Sequence, residues 1–94
     1  MLRQGRPLHG DRMVVFLAPG TGGIAVVAAR RVGDAVRRNR ARRILREAWS
    51  EVSPQVKDGY DVVLVARQAI RGAMTQDLVA EMTELLRRGE MTRG

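Results

Sequence analysis

Residues 24–52 read IAVVAARRVGDAVRRNRARRILREAWSEV, and the period of the apolar positions changes partway along. Residues 24–29 form a short apolar run with two valines and an isoleucine, the pattern of a strand. Beyond Gly33 the spacing becomes helical. At about 100° per residue, Ala41, Ile44, Leu45, Ala48, Trp49 and Val52 share one face, while Asn39, Arg42, Arg43 and Arg46 lie on the other. The stretch predicts a strand, a glycine turn and an amphipathic helix from Asp34 or Ala35 to Val52. Asp34 is placed to cap the first turn, and Pro54 lies just past the end.

Upstream, residues 13–18 (MVVFLA) form a second apolar run, joined to residues 24–29 by PGTGG, which reads as a β-hairpin with a glycine-rich loop. Downstream, KDGY precedes residues 61–66 (DVVLVA), whose near-continuous apolar character suits an interior or parallel strand. Thr75 opens a second helix with Leu78, Val79, Met82, Leu85 and Leu86 as its core stripe, ending near Arg88 and Gly89. The order is ββαβα. That order specifies an α+β fold, a small sheet covered by helices, in one domain spanning residues 1–94. The tail from Glu90 is expected to fray.

Charge is concentrated in the same region. Of 17 Lys and Arg and 10 Asp and Glu, residues 30–46 hold eight arginines and one acid, Asp34, leaving nine of each sign elsewhere. The net charge of +7 is therefore one patch, the electrostatic footprint of a polyanion binder, with nucleic acid the first candidate. Within it Arg42, Arg43 and Arg46 recur with Asn39 at i, i+3, i+4 and i+7, and Arg37 and Arg38 sit in the first turn. Guanidinium forks match phosphate oxygens, and an amide such as Asn39 adds donor and acceptor together. A solvated helix face would interleave carboxylates for i,i+4 pairing, and only Glu47 intrudes. Arginine outnumbers lysine sixteen to one, which fits either a GC-rich genome or selection for bidentate phosphate contacts.

Other features read as structural. Gly20, Gly22 and Gly23 lack the Lys and Ser or Thr of a phosphate loop and join two strands, so a turn is the reading. His9 is the one histidine and there is no cysteine, which removes disulfides, thiolate metal sites and a Cys nucleophile. Asp77, Glu81 and Glu84 share one helix face and fit a solvated surface. Trp49 and Phe16 read as core residues, with Phe16 alternatively lining an open sheet face where it stacks on a base. No pair of acids or Ser-His-acid set is placed for catalysis, and no stretch is long and apolar enough for a membrane span. The expected compartment is the cytoplasm, with no membrane partner; the oligomeric state stays open.

The segment ARRVGDAVRRNRARRILREAW resembles the signature region of the bacterial ribonuclease P protein subunit, with Arg38, Asn39 and Arg40 as its arginine-asparagine-arginine core. RQGRPLHGDRMVVFLA is similar to the family's loop and first strand, IAVVAARR to its second strand, and GYDVVLVAR to its last. The resemblance covers nearly the whole chain. It implies an α/β sandwich with three to four strands and a left-handed βαβ crossover, akin to the second domain of a small-subunit ribosomal protein. It also implies a protein subunit of ribonuclease P that binds the catalytic RNA and the 5′ leader of precursor tRNA. The RNA would perform the endonucleolytic cleavage with its own Mg²⁺, and no residue of the chain would be catalytic or hold a metal.

Carried onto this chain, the RNA-binding residues implied are Arg30, Arg31, Arg37, Arg38, Asn39, Arg40, Arg42, Arg43 and Arg46. A cleft between the signature helix and the sheet is implied for the leader, with Phe16 and Leu2 as its candidate residues. The family begins with a further segment, including a helix, most of which this chain lacks; either the start codon is assigned too late, which is the favoured expectation, or the protein is a natural short form with a weakened leader cleft. Asp34 stands where the family usually has asparagine, which keeps a cap and adds negative charge beside phosphates. The rival from another class is a structural RNA-binding protein of the ribosome type with no role in cleavage; a third is a protein nuclease.

Overall fold

The computed structural model describes residues 6–93. Four strands, β1 (Arg6–His9), β2 (Met13–Pro19), β3 (Ile24–Ala28) and β4 (Tyr60–Ala66), form one mixed sheet. Helices α1 (Ala35–Val52) and α2 (Thr75–Arg88) pack on it. Both helices run where the periodicity predicts, and Asp34 caps α1 by accepting the Arg37 N–H at 3.0 Å. The cap of α2 comes from within: the Asp77 carboxylate accepts the Met74 N–H at 2.8 Å.

The strand order β1-β2-β4-β3 corrects the hairpin expected of residues 13–29. β4 lies between the two runs, antiparallel to β2 with Phe16 opposite Val63, and parallel to β3 with Val26 opposite Leu64. Two strands separated by a third stand roughly 10 Å apart, a span that a tight hairpin turn does not bridge. The PGTGG loop instead arches over the start of β4. Its Gly20 N–H donates to the Gly59 carbonyl, and its Gly23 carbonyl accepts from the Val62 N–H, each at 2.9 Å. Beneath the arch, one oxygen of the Asp61 carboxylate accepts the N–H groups of Thr21, Gly22 and Gly23 at 3.1, 3.1 and 2.8 Å. The loop is a small anion nest, and its anion is the chain's own carboxylate.

The sheet also has one strand more than the apolar runs indicate. β1 occupies the segment read as a loop, paired antiparallel to β2 with Pro7 opposite Phe16. Proline is tolerated there because β1 is an edge.

Alternation sorts the strands into faces. Met13, Val15 and Leu17 of β2 and Val62, Leu64 and Ala66 of β4 are buried against the helices. From α1 the core receives Ala41, Ile44, Leu45, Ala48 and Val52, and from α2 Leu78, Met82, Leu85 and Leu86. Full burial of each large aliphatic side chain contributes about 1.5–3 kcal/mol, and no polar or charged residue among the described ones is buried to offset it.

The tail does not fray through residue 93. Met91 is 1% exposed, Thr92 bridges Val56, and the Arg93 N–H donates to the Gln55 carbonyl at 2.8 Å. A single buried methionine anchors it, a signal that the polar residues around Met91 obscure.

Candidate nucleic-acid interface

The basic segment begins as a turn. Arg30 and Arg31 are exposed in a 3-10 helix, Arg30–Val32, that the buried Val32 pins to the core. Gly33 reverses the chain at φ 144°, and a Cβ there would lie 2.7 Å from the Arg37 Cδ. Glycine at this point sets how the turn meets the first turn of α1.

On α1 the arginines divide between two flanks. Arg38 and Arg42 are half-buried on one flank of the helix, with Asn39, Arg43 and Arg46 exposed beyond them. Arg42 donates to the Asn39 side-chain oxygen, which orients one guanidinium and leaves the Asn39 amide NH₂ as an outward donor. Arg38 donates to the Gly33 carbonyl at 3.4 Å. Arg40 goes the other way. Two residues on from Arg38, it emerges on the flank facing α2, where it donates to the Ala73 carbonyl at 2.7 Å. The same flank carries Glu47, which accepts the Thr75 hydroxyl at 2.8 Å.

Few carboxylates answer this charge. Arg37 lies 3.9 Å from Asp34 and Arg43 3.8 Å from Glu47, exposed pairs of the kind that contribute little. Among the described residues, Arg30, Arg31, Arg38, Arg42 and Arg46 have no acid within 4.0 Å. Several acids elsewhere are engaged: Glu81 takes the Arg12 N–H and guanidinium at 2.9 and 3.1 Å, and Glu84 pairs with Arg87 and Arg88. No group of His, Cys, Asp and Glu among the described residues is arranged to hold a metal ion.

The fold adds two cations that a linear charge count misses. Parallel pairing sets Ala28 opposite Ala66, so Arg67 emerges at the same end of the sheet as Arg30 and Arg31. A pocket there of about 530 Å³ is lined by Arg31 and Arg67 with Asp11 and Gln68. Arg71, on the following turn, joins Arg37 and Arg40 around a neighbouring pocket of about 230 Å³. The parallel reading of residues 61–66 held the signal for Arg67.

Phe16 is not where the resemblance implies. Its neighbours Val15 and Leu17 face α1 and α2, so strict alternation turns Phe16 to the opposite face of the sheet. The space between α1 and the sheet is filled by the core. On the far face Phe16, Val63 and Val65 are half-buried beside Val14, and Val27 is 45% exposed. Leu2 lies outside the described residues.

The family whose description is Ribonuclease P matches residues 1–90. The ribonuclease P protein component of Pelotomaculum thermopropionicum is 38% identical over 94 residues, covering 97% of this chain and 84% of that one. That of Coprothermobacter proteolyticus is 41% identical over 63 residues, a match to 66% of this chain that spans about half (53%) of the relative's length. In three dimensions the RNase P protein of Staphylococcus aureus superposes with a TM-score of 0.78 at 18% identity, over 97% of this chain and 86% of that one. The same α+β sandwich is thus built from largely different residues. With nearly its whole length matched, the chain belongs to the ribonuclease P protein family.

Proposed function

We propose that this chain is the protein subunit of ribonuclease P, binding the catalytic RNA through α1 and assisting removal of the 5′ leader from precursor tRNA. The observation that carries the reading is the run of Arg38, Arg42 and Arg46 along one helix with no acid partner among the described residues. Such a surface neutralises phosphates and releases their counterions, lowering repulsion between two RNAs brought together. Arg30 and Arg31 extend it beyond the helix N-terminus, where backbone N–H groups favour anions.

The leader is assigned to the sheet face away from the helices, where Phe16 offers a half-buried ring for base stacking. Hydrolysis is assigned to the RNA and its Mg²⁺, with the protein's side chains binding and orienting. Family membership favours this reading over a structural RNA-binding protein of the ribosome type and over a protein nuclease. No helix among the described residues is long and apolar enough to cross a membrane, and the cytoplasm is the proposed compartment.

Reconstitution tests the proposal. Catalytic RNA at low Mg²⁺ should cleave precursor tRNA faster with the chain than without it. Equal rates would overturn the assignment, and cleavage by the protein free of RNA would transfer the chemistry to the chain.

A further inference from the structure

At the C-terminal end of α1 the arginine flank runs into a pocket with no role in the RNA contacts assigned to Arg38, Arg42 and Arg46. It measures about 340 Å³, within the range of small-ligand sites, and brings together Trp49 of α1, Tyr60 of β4, Gly22 and Gly23 of the arch, and Lys57. Trp49 and Tyr60 are the chain's only tryptophan and tyrosine, and both are half-buried with part of their surface open. Neither the indole N–H nor the phenol hydroxyl is a buried group lacking a partner, so a ligand's hydrogen bond to either tip would exchange for one with water. Aromatic faces with polar edges fit a planar, hydrogen-bonding ligand better than a purely apolar one.

Position along the helix narrows the ligand. Trp49 projects within about 20° of Arg38 and Arg42 around the axis, about 10 Å beyond Arg42 at 1.5 Å per residue, and Arg46 lies one turn before it. A phosphate backbone following Arg42 and Arg46 therefore delivers its next base to the pocket mouth. The anion nest beside it is occupied by Asp61, which leaves the arch to shape the pocket and not to take a phosphate. We infer that the Trp49–Tyr60 pocket receives one unpaired nucleobase of an RNA strand whose backbone lies on Arg42 and Arg46. The inference rests on the RNA-binding reading of α1 and adds a base contact to it.

The single tryptophan makes the test direct, since indole emission reports on this pocket alone. The intact chain is titrated with a short single-stranded oligouridylate, with an abasic ribose-phosphate oligomer of equal length, and with adenosine monophosphate. Saturable quenching by the oligouridylate, absent with the abasic oligomer and at least about five-fold weaker per base with the free nucleotide, is the expected result. Tyr60→Leu should weaken oligouridylate binding about five-fold or more without changing its salt dependence, whereas Tyr60→Phe keeps the affinity. Equal quenching by the abasic oligomer would show that only phosphates bind and would overturn the pocket. Equal affinity for the free nucleotide would overturn the RNA strand as its source. The wild-type comparison stands alone if Tyr60→Leu does not fold, and leader removal assayed with the catalytic RNA keeps the two readings separable: stimulated cleavage with no base-dependent quenching sinks the pocket only.

Discussion

The Arg40 guanidinium donates to the Ala73 carbonyl at 2.7 Å, so the second arginine of the Arg38-Asn39-Arg40 triplet ties α1 to the turn that opens α2. A charged donor of this kind contributes about 1.5–3 kcal/mol. Arg40→Ala should lower Tm by roughly 5 °C or more in a thermal melt. It should also reduce the salt dependence of RNA binding less than Arg42→Ala does. An unchanged Tm with a full unit removed from the slope would assign Arg40 to RNA instead.

Replacing Arg38, Arg42 and Arg46 together by glutamine should leave the fold intact, because Arg38 and Arg42 are only half-buried and Arg46 is exposed. Affinity for the catalytic RNA should fall, and the slope of log K against log salt should flatten by about 0.7–0.9 for each phosphate no longer neutralised. Filter binding across a salt series measures this. A parallel displacement of the line, with its slope retained, would remove phosphate binding as the role of that face.

Asp34 both caps α1 and lies 3.9 Å from the Arg37 guanidinium. Asp34→Asn keeps a side-chain oxygen for the Arg37 N–H and removes the negative charge, so the urea midpoint should hold while RNA binding tightens. Asp34→Ala removes the cap as well and should lose about 1 kcal/mol. If the alanine variant is as stable as the asparagine one, the cap contributes nothing to folding.

The Asp61 carboxylate organises the arch through three N–H groups, and a Cβ on Gly20 would sit 2.1 Å from its other oxygen. Gly20→Ala should therefore displace that carboxylate, and Asp61→Ala should release the loop at a cost of about 1 kcal/mol, moderated by its exposure to water. Hydrogen exchange at Gly22 and Gly23 should accelerate in both variants. Unchanged protection would mean that the loop holds its shape without the nest.

The helices are legible in the sequence because their determinants are local: the apolar stripe of α1, Asp34 ahead of it, and the Leu78–Leu86 stripe of α2 repeat within a few turns. The relation of β2 to β3 is not, because neighbouring runs joined by glycines favour a hairpin, and nothing within either run reveals the strand that separates them. The signal lies in residues 61–66, whose apolar character on both faces calls for neighbours on both sides. β1 escapes notice because an edge strand needs only Leu8 on the core side, which leaves too short an alternation to detect. The arginine flank is legible as a charge pattern. Arg71 and the direction of Arg40 depend on tertiary contacts and are not, while Arg67 becomes legible only once residues 61–66 are paired as a parallel strand, and the open-face alternative for Phe16 is selected only by the strand pairing.

The insertion of β4 between β2 and β3 also governs the order in which the molecule can be assembled. Pairing β3 with β4 joins segments on either side of α1, so the sheet cannot close on a growing chain until residue 66 is available. Before then β2 and β3 are free to meet across the PGTGG loop, and a hairpin formed in that interval has to open again to admit β4. Thr21→Asn, which places an Asn-Gly pair in the loop at unchanged length and favours such a turn, should slow refolding in stopped-flow experiments. Identical rates would show that the two strands wait apart, held in readiness by a contact made earlier.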